Sequence, residues 1–255
     1  MADTASSSSL PPSSTAVAAS SGGGGGGGSS SYFDTKVAIV TGSGDGIGRA
    51  IGEKLLALGA TVVFNSRSES SVRVAAALDA DGERAVGIQA DVSTDAGCRD
   101  LVSKTIDRFG HLDILVNNAG KNHPVKHTDL EGVTEEALRG VFEINTFGVF
   151  YMCRAAMPHL QASGDGSIVN VTSVAGIRPG GSSMPYSMSK AATNHLTLML
   201  AKSFGPDVRI NSVAPGLTDT AMMADPKHDA KKVRLAELGN VLRFCLNEAC
   251  LWTRQ

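Results

Sequence analysis

Thr41-Gly42-Ser43-Gly44-Asp45-Gly46-Ile47-Gly48 follows the apolar run Val37-Ala38-Ile39-Val40 and leads directly into a stretch with helical spacing. Glycines at such a junction let the backbone turn tightly and approach a pyrophosphate. The start of the following helix then presents unpaired N–H groups and the positive end of its dipole. A glycine-rich string alone also fits a plain strand–helix turn. Its place at the first β–α junction favours a dinucleotide site, with Gly42, Asp45, Gly46, Ile47 and Gly48 as the cradle and Arg49 as a cation just behind it. The spacing TGxxxGxG departs from the more familiar GxGxxG.

Working outward from that loop, the pattern alternates. Val37–Thr41, Thr61–Asn65, Ala85–Gln89, Ile114–Asn117, Ser167–Thr172 and Arg209–Val213 are predicted strands. Helical spacing covers Ile47–Leu58, Ser70–Ala80, Asp95–Phe109, Thr134–Gln161 and Pro185–Phe204. The strands are apolar without alternation, as strands buried on both faces should be. Regular β–α alternation implies the α/β class: a single doubly wound, Rossmann-type parallel sheet with helices on both faces.

Residues 1–31 are mostly Ser, Ala and Gly, with an unbroken glycine run from Gly22 to Gly28. They cannot fill a core, so a disordered segment is expected there and one catalytic domain over 32–255. No Lys or Arg precedes Lys36, which argues against a secretory or mitochondrial leader. A Ser-rich plastid address stays open, and a cytoplasmic location is the default. A formal net charge of −2 gives no footprint for nucleic acid, and no apolar run is long enough to cross a membrane. Cys98, Cys153, Cys245 and Cys250 are scattered, with no spacing that suggests zinc, so reduced thiols and no metal are expected.

Tyr186 and Lys190 are four residues apart in a helix-forming stretch and so share one face. Reducing a carbonyl puts negative charge on its oxygen, where a proton donor must meet it. Free tyrosine has a pKa of about 10, and a nearby ammonium lowers it. Bringing it to roughly 7–8 takes about 3–4 kcal/mol of preference for the phenolate. Ser173 ends the fifth strand, where crevice residues belong, and its hydroxyl could hold the substrate oxygen. The second strand ends Phe64-Asn65-Ser66-Arg67 without an acid. That choice favours NADP(H) over NAD(H), with Ser66 and Arg67 near a 2′-phosphate. Arg49 and Arg67 also fit ordinary solvated arginines.

The glycine loop, Asn117-Asn118-Ala119-Gly120, the Ser173/Tyr186/Lys190 set and Pro215-Gly216 occur in an order and spacing that resembles the short-chain dehydrogenase/reductase family. The resemblance runs from Lys36 nearly to the end. It implies hydride transfer between the nicotinamide and a carbonyl or secondary alcohol, with Tyr186 as general acid/base. It also implies that Asn145 holds a proton-relay water and that Lys190 contacts the nicotinamide ribose. Asp91 and Val92 would line the adenine, Asn118, Ala119 and Gly120 the central ribose region, and Pro215, Gly216, Thr218 and Thr220 the nicotinamide amide. A small-molecule carbonyl or alcohol substrate is expected, and a homodimer or homotetramer pairing through Thr134–Gln161 and Pro185–Phe204.

The resemblance weakens towards the end. Met222 to Arg234 makes a short lid. An apolar stripe of Leu235, Leu238, Val241, Leu242 and Cys245 suggests a late helix, and the chain stops where a seventh strand is expected. Trp252 fits either a core contact or an altered tail. Two alternatives to a small-molecule reductase follow: a catalytically impaired, truncated relative that binds dinucleotide or a partner, and a 3-oxoacyl-thioester (acyl-carrier-protein) reductase.

Overall fold

The computed structural model describes residues 31–216. The expectations for residues 1–30, the lid, the late helix, the seventh strand, Trp252, Thr218, Thr220, Cys245 and Cys250 lie outside the described residues.

Six strands form one sheet: β1 (Val37–Val40), β2 (Thr61–Ser66), β3 (Ala85–Gln89), β4 (Ile114–Asn117), β5 (Gly166–Val171) and β6 (Val208–Val213). Their order is β3-β2-β1-β4-β5-β6, and every neighbouring pair is parallel. The order reverses between β1 and β4, so loops leaving their C-terminal ends diverge and open a crevice.

The connecting helices are α1 (Gly46–Ala57), α2 (Ser70–Leu78), α3 (Asp95–Phe109), α4 (Glu135–Phe142), α5 (Val149–Ala162) and α6 (Met184–Phe204). Side chains alternate across the sheet. Ala38 and Val40 pack with Ile51 and Leu55 of α1 and Val74 of α2. Val37 and Ile39 pack on the opposite face with Leu101 of α3 and Met152 of α5. Both faces are therefore covered, which is why these strands carry no polar alternation. Cys98 and Cys153 are buried free thiols, and burial pushes each up to about 12.

Two expected helices end differently. The stretch beginning at Ser70 stops at Leu78 rather than Ala80, because the Asp79 carboxylate accepts from the Arg84 and Ala85 N–H groups at 2.6 and 3.0 Å. The stretch 134–161 is not one α-helix. Thr134 caps α4 by accepting from Ala137 N at 3.1 Å, and a π turn over Glu143–Gly148 separates α4 from α5. Gly148 permits the distortion, since a Cβ there would lie 2.5 Å from the Val92 carbonyl oxygen.

At the N-terminal end of the sheet, Asp165 gathers Tyr32 Oη at 2.7 Å, Lys36 Nζ at 3.0 Å and the Arg209 guanidinium. Partial burial opposes ionisation of Asp165, but hydrogen bonds from Tyr32, Lys36 and Arg209 outweigh it and hold the carboxyl down to about 2. A depressed carboxyl contributes stability above its unfolded pKa of about 4 and loses it as pH falls towards 2. Asp165→Asn should therefore cost about 1 kcal/mol at pH 7, after allowance for solvent screening. The gap in melting temperature from the wild type should close between pH 4 and 2, within the limits set by about 4 unfolded and about 2 folded. A gap independent of pH would remove the ion cluster as its cause.

Candidate active site

The glycine loop is built by contacts that Cβ atoms would block. Gly42 has φ +62°, and a Cβ on Gly48 would lie 2.3 Å from Asn118 Nδ2 and 2.5 Å from the Gly42 oxygen. Asn118 Nδ2 donates to the carbonyls of Thr41 and Gly42, both at 3.0 Å. Thr41 Oγ1 accepts from the N–H groups of Asn118 and Ala119, again at 3.0 Å. The segment after β4 thus braces the loop after β1 across the crevice. Asp45 caps α1, its carboxylate accepting from Gly46 N at 2.7 Å. Ile47 and Gly48 follow in the first helical turn, where N–H groups have no intrahelical acceptor. A phosphate group could be held here, and the residues present fit a dinucleotide.

At the end of β2, Ser66 Oγ is drawn into neighbouring serines, donating to Ser68 O at 2.6 Å and contacting Ser71 Oγ at 2.9 Å. Arg67 is exposed, and its charge reaches Asp91 at the end of β3. Asp91 accepts from Ser93 N and Ser93 Oγ at 3.0 and 2.7 Å. Val92 is 8% exposed and packs into the core, so its side chain belongs to the sheet face. Arg49 pairs with Glu53 one turn on, at 2.8 Å.

The second half of the site lies past β5. Ser173 opens a 3-10 turn over Val174–Gly176, accepting from Ala175 N at 3.2 Å. Val174 N donates to the Pro215 carbonyl at 3.1 Å, which places Pro215 beside that turn. Gly216 is the last described residue and is exposed. A Cβ on Gly176 would lie 2.6 Å from the Lys190 carbonyl carbon, so the turn presses against α6 where Lys190 sits. Ser183 caps α6, accepting from Tyr186 N at 3.4 Å, and fixes where the first turn begins.

Tyr186 is half-buried and Lys190 only 4% exposed. Lys190 Nζ donates to the Val171 carbonyl at 2.8 Å and lies 5.8 Å from the Tyr186 ring centroid. A Cβ on Gly120 would stand 3.7 Å from Lys190 Nζ and 3.4 Å from Asn145 Oδ1. The structure therefore brings Ser173, Tyr186, Lys190, Asn145 and Gly120 together.

A partly buried cation together with the charged nicotinamide is expected to bring the tyrosine to roughly 7–8, and the protein groups by themselves act in the other direction. Burial pushes the Tyr186 phenol above its ordinary value, and a hydrogen bond with Ser173 only partly opposes it. Burial likewise pushes Lys190 down to about 8. Both charged forms lose water, and that loss exceeds the attraction the pair provides by itself.

Asn145 is fully buried within the π turn. Its Nδ2 donates to Lys121 O and Ser189 Oγ, each at 2.9 Å, and its Oδ1 accepts from Lys121 N at 2.8 Å. Both amide protons are committed to protein, so a relay water could be held only at an oxygen of this residue. Sequence reasoning missed Lys121, Ser183, Ser189 and Thr193. A signal existed: Ser189, Thr193 and Thr197 recur every four residues, a small polar stripe on one helix face. Among the described residues no group of His, Cys, Asp and Glu could hold a metal, and no helix is long and apolar enough to cross a membrane.

Residues 36–231 match the pattern of the family described as short chain dehydrogenase. The chain belongs to the short-chain dehydrogenase/reductase family. This is a family of oxidoreductases that use nicotinamide cofactors. A Streptomyces violaceoruber protein named as ketoacyl reductase 2 of the granaticin polyketide synthase is 46% identical, covering 73% of this chain and 74% of its own. The 4-formylbenzenesulfonate dehydrogenase of Comamonas testosteroni is 42% identical, over 74% of this chain and 75% of its own. Among solved structures, the 3-ketoacyl-(acyl-carrier-protein) reductase of Brucella melitensis, complexed with NADH, superposes with a TM-score of 0.78 at 27% identity. That match spans 86% of this chain and 93% of the other.

A buried lysine with a depressed pKa destabilises the fold while it stays protonated. That cost is present below pH 8 and relieved as pH rises towards the ordinary value of 10.5. Lys190→Met fills the same space without charge and should stabilise the fold at pH 7 by about 2 kcal/mol. Its advantage in melting temperature should shrink between pH 8 and 10. A variant that melts at or below the wild-type temperature at pH 7 would mean the ammonium is fully compensated where it lies.

Proposed function

We propose that this protein is an NADP(H)-dependent carbonyl reductase or alcohol dehydrogenase in which Tyr186 transfers the proton. The observation that carries this reading is the cluster of Ser173, Tyr186 and buried Lys190, next to Gly120 and across from a braced glycine loop. When bound, the nicotinamide supplies or takes up the hydride.

The chain's own groups handle the rest. Tyr186 gives its phenolic proton to the substrate oxygen in reduction and takes it back in oxidation. Its raised pKa keeps that proton in place at neutral pH until negative charge develops on the substrate oxygen. Ser173, whose hydroxyl favours the ionised phenol, holds the same oxygen. Lys190 commits one N–H to the Val171 carbonyl, and its other ammonium protons would serve the nicotinamide ribose and the phenol. The glycine loop and the first turn of α1 take the pyrophosphate, with Asp91 near the adenine. NADP(H) is favoured because no acid ends β2 and Arg67 is exposed there, its charge reaching Asp91.

A second reading is a 3-oxoacyl-thioester reductase. It is supported by the names of the Streptomyces and Brucella relatives. We further propose pairing of two copies through the π turn, α5 and α6, where Phe147, Phe150, Leu198 and Met199 are 48, 42, 48 and 58% exposed. The native mass in solution should then be twice the chain mass or a multiple of it; a monomer at micromolar concentration would oppose pairing.

The deciding experiment follows NADPH and NADH oxidation by purified protein against small ketones, aldehydes and 3-oxoacyl thioesters. Turnover with NADPH should exceed that with NADH, and Arg67→Ala should weaken NADPH selectively. No turnover with any member of the panel would favour the catalytically impaired alternative. Tyr186→Phe should lower kcat by at least the roughly 10²–10⁴-fold of general acid catalysis, with dinucleotide affinity kept. Near wild-type kcat in that variant would take Tyr186 out of the mechanism.

A further inference from the structure

The Asn145 amide links two segments of the site, which also touch where Ser183 Oγ meets Asn122 Oδ1 at 3.4 Å and Val125 N donates to the Ser182 carbonyl at 3.3 Å. On one side it pairs with both main-chain groups of Lys121, at 2.8 and 2.9 Å, and so fixes the segment containing Gly120. On the other it donates to Ser189 Oγ at 2.9 Å, and Ser189 Oγ donates in turn to the Tyr186 carbonyl at 2.7 Å. Ser189 has no exposed surface. Thr193, 1% exposed, donates through Oγ1 to the carbonyls of Asn145 at 2.7 Å and Ser189 at 2.9 Å. Thr146 Oγ1 adds a further bond to the Ser189 carbonyl at 3.1 Å.

The π turn supplies the geometry that makes this possible. A regular helix through 143–148 would turn Asn145 by a different angle, whereas the wider turn aims its amide between Lys121 and Ser189. The hydroxyls of Ser189 and Thr193 grip the same residue at its side chain and its carbonyl. Three consecutive parts of the site are thereby set relative to one another: the Gly120–Lys121 segment, the π turn and the helical turn from Tyr186 to Lys190.

We propose that Ser189 is a positioning residue, supported by Thr193, which acts through Asn145 to fix the Tyr186–Lys190 turn of α6 against the Gly120–Lys121 segment. The inference rests on the proton-transfer reading above. Its consequence is specific. Removing the Ser189 hydroxyl leaves a buried Asn145 N–H without its acceptor and frees the Tyr186 turn to shift, while the glycine loop keeps its own brace from Asn118. Catalytic alignment should suffer more than dinucleotide binding.

The test compares Ser189→Ala, Thr193→Val and Asn145→Ala, and the double variant Ser189→Ala/Asn145→Ala, beside Tyr186→Phe. Turnover is measured on the best substrate of the panel, and NADPH affinity by quenching or enhancement of its fluorescence. Ser189→Ala should lower kcat by about 10- to 100-fold, the scale of a small misplacement of reacting groups, with the NADPH Kd within about threefold. Thr193→Val, which keeps the side-chain volume, should lower kcat in the same sense. The double variant should lose little more than Asn145→Ala alone, since the serine acts through the asparagine.

Wild-type kcat in both Ser189→Ala and Thr193→Val overturns the proposal. So does a fall in kcat matched by an equal loss of NADPH affinity and melting temperature, which marks a merely structural role, and so do fully multiplicative effects in the double variant. If Ser189→Ala fails to fold, Thr193→Val decides by the same split between kcat and Kd. If Tyr186→Phe retains activity, the proton-transfer reading fails first; if it is inactive while Ser189→Ala is normal, only the positioning role is lost.

Discussion

A lysine ammonium held out of water is the constraint around which this molecule is arranged. Lys190 sits in the second turn of α6 against the 3-10 turn, and burial lowers its pKa to about 8. A cation in that position needs close acceptors and neighbours without side chains in the way. The Val171 carbonyl at the end of β5 is the acceptor. Gly176 provides the clearance, because a Cβ there would lie 2.6 Å from the Lys190 carbonyl carbon. Ser183 fixes where α6 starts, which decides which helical face carries Tyr186 and Lys190.

That burial is sustained by a polar chain that crosses the apolar interior. Asn117 of β4 donates to Asn170 of β5 at 2.9 Å, Asn170 donates to Thr197 of α6 at 2.9 Å, and Thr197 donates to the Thr193 carbonyl at 2.7 Å. Thr193 continues to Asn145, and Asn145 to Ser189 and Lys121. Each member is satisfied, so the chain adds orientation without leaving buried donors unpaired. The two apolar layers on either face of the sheet supply the bulk of the burial, and this polar chain sets the rotation of α6 on its layer.

The two halves of the site are braced by different means. The dinucleotide half relies on main-chain clearance: glycines in the loop and an asparagine side chain that fills the loop's carbonyl acceptors. The reacting half relies on side-chain hydrogen bonds between helices and the π turn. A substitution in one half can therefore leave the other standing. The crevice where the sheet order reverses opens at the C-terminal ends of β1 and β4.

Local patterns in the sequence determined the six strands, their parallel alternation with helices, and the glycine loop, because apolar runs and glycine spacing are properties of neighbouring residues. Tyr186 and Lys190 were legible together because a four-residue interval places two side chains on one helical face whatever the rest of the chain does. The tertiary structure alone decided the π turn. Residues 134–161 carry continuous helical spacing, and the break depends on Asn145 finding Lys121 and Ser189, residues 24 and 44 positions away. It also decided the direction of the Tyr186 shift. Sequence shows that a cation is near, but whether its field or the loss of water prevails depends on how deeply both groups are buried. The glycine after β4 and the asparagine before it looked alike as motif letters. Only packing separated them, since Gly120 lies beside Asn145 and Lys190 while Asn118 holds the glycine loop closed.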